Sequence, residues 1–203
     1  RSPALLAKTA ASLDAISNGR LELGVGLGWQ EEEYEASGIS FDQRAKIFWE
    51  TLDICQSLWK GGPVSHKGEI FEFNDIWCHP IPPQGSDIPL LFGVKMTESN
   101  AQKIATIGHG WIPIKTSRDF ISEGSEKLNN AFKEAGRDDK PRIRGQLPTC
   151  VDSNGVPSVD LTLKELEKSM EAGLEEIEVF PINFAQSPDH LREVLELIGE
   201  IKK

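Results

Sequence analysis

The chain has 203 residues, of which 38% are hydrophobic and 27% are charged, and this balance is typical of a folded globular protein. The formal net charge of -10 argues against a nucleic-acid partner, because binding to phosphate groups needs a basic surface. No apolar run approaches the roughly 20 residues of a membrane span, so we expect no membrane segment and a cytoplasmic protein. Three cysteines without metal-ligand spacing and four scattered histidines predict reduced thiols and no bound metal.

The first part of the chain has the pattern of a helix, a strand and a second helix. Ser2-Pro3 predicts the start of the first helix and Asn18-Gly19 its end. The expected apolar face of that helix consists of Leu5, Leu6, Thr9, Ala10, Leu13 and Ile16. Residues 21–26 have the length and hydrophobicity of a buried strand. Residues 42–60 predict a strong helix, whose apolar face consists of Phe48, Leu52, Cys55 and Trp59.

An irregular segment over residues 61–88 is rich in glycine and proline, around a short hairpin expected at residues 69–73. A segment of this length in a compact domain is usually a functional or covering loop. Strands and helices then alternate, with strands at 89–93, 111–114, 143–151 and 176–180, and helices at 97–107, 118–135, 161–172 and 188–201. Five strands alternating with six helices predict a parallel sheet. Since no linker divides the chain, we predict one α/β domain over residues 1–203.

Three glycines occupy alternate positions at the end of the first strand: Gly24, Gly26 and Gly28. Their spacing differs from the GxGxxG pattern of dinucleotide sites, and the glutamates that follow would repel a phosphate at a helix start. In a parallel barrel the loops after the strands form the functional face, and glycines there let a ligand approach backbone N–H groups. Gly24 and Gly26 are equally well explained by close packing. Gly28 and Trp29, past the strand end, are the better candidates for a site.

The chain contains, in this order, the segments SPALLAK, ASLDAISNGRLELGVGLGW, EEEYEASGISFDQR, HPIPPQ, IPLLFG and HGWIPI. Together they resemble the luciferase-like monooxygenase superfamily. Within it, the chain looks most like the flavin- or deazaflavin-dependent oxidoreductases that use coenzyme F420. The resemblance is dense from residue 2 to about residue 115, and it continues more loosely through the last two strand–helix units.

The fold implied by the resemblance is a TIM (β/α)8 barrel of the luciferase-like type, with a segment inserted ahead of its fifth strand. Residues 61–88 match that insertion, and residues 21–26 correspond to the fourth strand of the barrel. The chain would then form an incomplete barrel of about five β/α units, because the first three strands and two helices have no counterpart. The chain also starts without methionine, so we expect an incomplete gene product or a truncated chain.

The resemblance also implies that a cofactor phosphate binds in loops at the carboxyl ends of the strands. One contact region follows the fourth strand and consists of Gly26, Leu27, Gly28 and Trp29. A second region follows the fifth strand and opens the next helix, with Lys95, Thr97 and Ser99. A helix N-terminus attracts phosphate by its free N–H groups, but Thr97 also fits a plain N-cap, and Val94-Lys95 replaces the two glycines common in the family. Trp29 and Trp111 are candidates either for the wall of an isoalloxazine pocket or for the core.

Four charged residues match recurrent positions of the family pattern, and we expect structural roles for them. They are Asp14, Arg20, Glu33 and Arg44. A salt bridge between Glu33 and Arg44 would fix the loop after the fourth strand to the next helix. No residue of the chain is a convincing general base. This agrees with hydride transfer, because the cofactor supplies that chemistry and the protein supplies position and electrostatics.

The implied function is that of a luciferase-like oxidoreductase. It would bind reduced FMN or coenzyme F420, between which the sequence does not decide, and pass hydride or activate oxygen for a small organic substrate. A competing hypothesis is a non-catalytic fragment that keeps the packing of the fold without a working site, and a weaker one is a phosphate-binding barrel fragment of another family. We expect the chain alone not to be a competent enzyme. We also expect a homodimer or larger assembly, because missing strands would leave unpaired sheet edges.

Overall fold

A computed structural model describes residues 2–146, 148–178, 180–185 and 187–199. The chain forms two compact units, Arg1–Gly93 and Val94–Lys203, called unit 1 and unit 2 below. Whether they act as the one domain expected from the sequence stays a prediction. Within the described residues, no helix combines the length and apolar character needed to cross a bilayer.

Unit 1 contains three helices, a parallel strand pair and a hairpin. The helices are α1 (Pro3–Ser17), α2 (Glu31–Ala36) and α3 (Arg44–Trp59). Strands β1 (Leu23–Gly26) and β4 (Leu90–Gly93) pair in parallel, whereas β2 (Val64–Lys67) and β3 (Glu72–Ile76) pair antiparallel. These elements confirm the predicted helices, strands and hairpin. Helix α2 was not predicted, because its acidic sequence EEEYEA lacks the apolar periodicity that indicates a helix.

Unit 2 alternates helices with parallel strands. The helices are α4 (Glu98–Ile107), α5 (Arg118–Glu134), α6 (Val159–Glu171) and α7 (Pro188–Gly199). Strand β6 (Arg142–Gln146) pairs in parallel with both β5 (Gly110–Trp111) and β7 (Glu176–Glu178). The strand predicted at 111–114 is thus shorter than expected. Of the extended segment predicted at 143–151, β6 covers residues 143–146, and residues 148–150 lie outside any strand. Residues 147, 179, 200 and 201 of the predicted elements lie outside the described residues.

Helix α1 buries a different face from the one predicted. Its buried residues are Pro3, Ala7, Ala10, Ala11 and Asp14, so Ala10 is the one residue of the predicted face among them. Leu5, Leu13 and Ile16 are 59%, 49% and 83% exposed. This face packs on α3, whose buried Trp59 donates a 2.9 Å hydrogen bond from Nε1 to the Ala7 carbonyl. The small side chains of the alanines let the two helices come close at this contact, which accounts for the buried face. The predicted homodimer, which would cover exposed apolar residues, stays a prediction.

Asp14 connects α1 to the two segments that lead into the parallel strands of unit 1. Its side chain is fully buried. One carboxylate oxygen accepts hydrogen bonds from the Leu21 N–H (3.3 Å) and from Nε2 of Gln84 (2.8 Å), and the other accepts one from the Gln84 N–H (3.0 Å). The structural role expected for Asp14 is therefore confirmed. Arg20 also has a structural contact, from Nε to the Ser17 carbonyl at 2.8 Å.

Replacement of Asp14 by alanine should destabilise unit 1. Buried donors without an acceptor each cost about 1–3 kcal/mol, and we expect Asp14→Ala to lower the free energy of unfolding by about 3 kcal/mol. Urea denaturation of the variant and the wild type measures this. Asp42 is an exposed aspartate of the same unit, so Asp42→Ala is the control and should change stability by less than about 0.5 kcal/mol. Equal losses in the two variants would contradict the role of Asp14.

The segment inserted between α3 and β4 is held by one carboxylate of α3. Glu50 accepts hydrogen bonds from the N–H groups of Ile70 (3.1 Å) and Phe71 (2.8 Å), at the turn of the β2–β3 hairpin. Its Oε1 also lies 3.0 Å from Nε2 of His66. Burial by itself raises the pKa of Glu50, but these hydrogen bonds outweigh it and place the pKa below its ordinary value.

The lowered pKa of Glu50 predicts a pH-dependent contribution to stability. The charged form stabilises the fold above the ordinary glutamate pKa of about 4.3, and this contribution is lost as the pH falls through the lower pKa of the folded state. We expect Glu50→Gln to lower the free energy of unfolding by about 1–2 kcal/mol at pH 7 and by clearly less at pH 3. Denaturation curves across this range measure the difference, with exposed Glu35→Gln as the control. A loss that does not depend on pH would refute this explanation.

Candidate functional site

The loop after β1 makes a turn at Gly28 that requires glycine. The φ angle of Gly28 is 74°, and an added β-carbon would lie 3.3 Å from Cε2 of Tyr34. The Tyr34 hydroxyl donates a hydrogen bond to the Leu27 carbonyl. At Gly26, by contrast, an added β-carbon would lie 3.2 Å from the carbonyl oxygen of Gly93, its partner in β4. Close packing between strands therefore accounts for Gly26, whereas the shape of the loop accounts for Gly28.

A cavity of about 490 Å³ in unit 1 brings three of the predicted site residues together. Gly26, Leu27 and Gly28 line it, and the remaining walls come mainly from apolar residues of β1 and α3. Glu33, Tyr34, Ser37, Arg44 and Thr51 supply its polar groups. Trp29 does not line this cavity and is 85% exposed. Its predicted contact with a cofactor ring stays a prediction.

The predicted salt bridge between Glu33 and Arg44 is wrong for the residues that the structure describes. The guanidinium of Arg44 instead lies 3.8 Å from the centre of the Phe41 ring, and Nη1 donates a 2.8 Å hydrogen bond to the Phe41 carbonyl. Arg44 forms these contacts with the residues just before its own helix. Arg44 is structural, as expected, but it acts through Phe41.

In unit 2 a second cavity, of about 510 Å³, gathers the other predicted region with groups that the sequence did not single out. Lys95 and Thr97 line it, together with Lys115 and Lys127, whereas the predicted site residue Ser99 does not. Glu98 and Glu123 bring negative charge to the same cavity. Nζ of Lys127 donates a 2.5 Å hydrogen bond to Oε1 of Glu123. This hydrogen bond lowers the pKa of Glu123 and raises the pKa of Lys127. Both groups are thus charged near neutral pH, and Lys127 is compensated by its partner.

The start of α4, where Thr97 and Glu98 line this cavity, leaves two backbone donors open. The Thr97 side chain caps the helix by accepting from the Asn100 N–H at 3.2 Å, which confirms the N-cap interpretation. The Asn100 side chain donates to the Lys95 carbonyl at 2.9 Å and so fixes the preceding loop. Among the described residues, the N–H groups of Glu98 and Ser99 meet no acceptor. Such groups at a helix N-terminus favour an anion.

Trp111 lies in the core of unit 2 and supports the loop before α4 from inside. Its side chain is fully buried, and Nε1 donates a 2.8 Å hydrogen bond to the Val94 carbonyl. The indole covers Gly124 of α5, where an added β-carbon would overlap the ring. Of the two interpretations of Trp111, the geometry fits the core, and its predicted contact with a cofactor ring has no support from exposed surface. No cluster of metal-binding side chains occurs in the described part of the chain.

The family model for luciferase-like monooxygenases matches residues 1–156. The chain belongs to the luciferase-like monooxygenase family. An uncharacterized protein of Mycobacterium tuberculosis is 37% identical over 142 residues, which are 70% of this chain and 49% of that protein. The chain thus spans about half the length of the curated relatives it matches.

Solved structures of this family share the fold. The coenzyme F420-dependent tetrahydromethanopterin reductase of Methanopyrus kandleri matches with a TM-score of 0.74 and 17% identity, over 98% of this chain and 78% of that one. An FMN-bound type II Baeyer-Villiger monooxygenase of Pseudomonas putida matches with a TM-score of 0.58 and 21% identity, over 75% of this chain and 46% of that one. At these identities the matches show the fold, an α/β arrangement of the luciferase-like type with parallel strands.

The two constraints on Gly28 can be separated by a matched pair of alanine variants. Gly28 and Gly38 both have positive φ angles, 74° and 66°, but nothing lies within 4 Å of a β-carbon added at Gly38. A non-glycine residue in this conformation costs about 1–2 kcal/mol. We expect Gly38→Ala to lower the free energy of unfolding by that amount only. Gly28→Ala should lower it by about 1 kcal/mol more, because the Tyr34 ring must move. Thermal denaturation compares them, and equal losses would contradict the tyrosine contact.

Proposed function

We propose that the chain is part of an oxidoreductase that binds reduced FMN or coenzyme F420 and acts on a small organic molecule in the cytoplasm. The observation that carries the proposal is the start of α4. The N–H groups of Glu98 and Ser99 meet no acceptor among the described residues, and Lys95, Thr97 and Glu98 line a cavity there together with Lys115. When bound, either cofactor supplies hydride chemistry, and the chain's own residues would hold and orient it.

The groups at the start of α4 fit a phosphate, both in kind and in charge. Two N–H donors and the Thr97 cap present the positive end of the helix, and phosphate binding at such a terminus needs no charged side chain. The ammonium group of Lys95 adds a positive charge on an exposed side chain. Glu98 and Glu123 oppose an anion, but Lys127 already compensates Glu123. The local balance therefore favours one phosphate group over a larger polyanion.

The turn at Leu27–Gly28 is the second element that supports the proposal. Gly28 gives this turn its positive φ angle, with the Tyr34 ring in the place that a side chain would take, and Leu27 and Gly28 line the cavity. The apolar cavity beside the turn would keep water from a ligand bound there.

A non-catalytic role for the isolated chain is the second candidate, and the coverage of the relatives favours it. The chain corresponds to 49% of the mycobacterial relative, so much of that protein's length has no counterpart here. Catalysis by positioning is sensitive to misplacement of about 1 Å, which can cost on the order of a hundredfold in rate. We therefore propose weak cofactor binding and little turnover for the chain alone.

Titration of the purified chain with FMN and, separately, with coenzyme F420 tests the proposal. Binding should change the visible absorption and fluorescence of one of them. We expect Lys95→Gln to weaken that binding about tenfold, since a hydrogen bond to a charged group contributes about 1.5–3 kcal/mol and exposure reduces it. The control Lys140→Gln removes an exposed lysine that does not line the cavity, and it should bind as the wild type does. Absence of binding to both cofactors would contradict the proposed function.

A further inference from the structure

A side chain of α2 supports the turn after β1. Apart from the bonds that belong to the β1–β4 pair and to α2 itself, the described part of the chain shows no backbone–backbone hydrogen bond for residues 27–30. The Tyr34 hydroxyl donates a hydrogen bond to the Leu27 carbonyl, at the start of the turn. The same ring lies against Gly28, so a single side chain of α2 fixes both the carbonyl and the turn that follows it.

Tyr34 is in turn fixed by a contact that reaches α3. The Phe41 ring meets the Tyr34 ring edge-on, with ring centres 5.3 Å apart and an interplanar angle of 81°. The Arg44 guanidinium covers Phe41 from the start of α3, at 3.8 Å from the ring centre. The order of contacts is therefore Arg44, Phe41, Tyr34 and the Leu27–Gly28 turn. This series consists of two ring contacts and one hydrogen bond.

We propose that Tyr34 is a positioning residue for cofactor binding, through the Leu27–Gly28 turn. This inference rests on the proposed function. By tying down the Leu27 carbonyl, the hydroxyl holds the turn in one conformation before the ligand arrives. Ordering a loop in advance lowers the cost of binding. Tyr34 itself need not touch the cofactor, because it acts through the backbone of Leu27 and Gly28.

The conservative variant Tyr34→Phe removes the hydroxyl and keeps both ring contacts. A net hydrogen bond of ordinary strength corresponds to a change of about three- to tenfold in an equilibrium constant. We expect Tyr34→Phe to weaken FMN or F420 binding by this factor in a fluorescence titration. The matched control is Ser57→Ala. This variant also removes a hydroxyl that donates to a backbone carbonyl, but the carbonyl is that of Asp53 in α3, away from the turn. It should bind within about twofold of the wild type.

A spectroscopic measurement keeps the inference testable if Tyr34→Phe does not fold. The chain has one tyrosine, so 3-fluorotyrosine incorporated biosynthetically gives a single fluorine resonance from Tyr34. We expect this resonance to shift on saturation with the cofactor that binds. Suppose that the wild type binds a cofactor. If Tyr34→Phe then binds it equally well, or if the fluorine resonance does not move, the role of Tyr34 is refuted and the proposed function stands. If the wild type binds neither cofactor, both are refuted.

Discussion

The parallel direction of neighbouring strands is the constraint on which the rest of the fold depends. β1 pairs in parallel with β4, and β6 pairs in parallel with β5 and β7. A tight turn cannot join parallel strands, so the chain must return along a helix, and this produces the alternation of strands and helices. The carboxyl ends of parallel neighbours then lie at one edge of the sheet, where the loops of a luciferase-like fold carry function. The β2–β3 hairpin differs because its strands are antiparallel, and Glu50 of α3 holds it by accepting a hydrogen bond from the Phe71 N–H.

The two candidate loops are built by the same physical device. Leu27 is the first residue after β1, and its carbonyl accepts a hydrogen bond from the Tyr34 hydroxyl. Val94 is the first residue after β4, and its carbonyl accepts one from Nε1 of Trp111. In each case an aromatic side chain satisfies the carbonyl just past the strand end. Backbone N–H groups further along each loop stay available to a ligand, as at Ser99. Aromatic residues at these sites thus act as supports rather than as contacts.

The sequence predicted the fold well because strand length, helix caps and glycines at helix ends are local signals. It failed on α1, where Leu5, Leu13 and Ile16 are exposed and alanines form the face that packs on α3. The cavity residues Lys115 and Lys127 were also missed, since a loop and a helix bring them to Lys95 only in the folded unit. Tyr34 gave no signal, because it stands within an acidic run whose helix has no buried residue. Each of these contacts depends on the folded chain and has no local pattern in the sequence.

The most direct test of the account is an amide correlation spectrum of the nitrogen-15-labelled chain, recorded while FMN is added. The account places the phosphate at the open N–H groups of α4. It therefore predicts that the amide resonances of Glu98 and Ser99 move together with those of Lys95 and Thr97, at one common midpoint. If these resonances stay in place while amides elsewhere in the chain shift, FMN binds at another site and the account is contradicted.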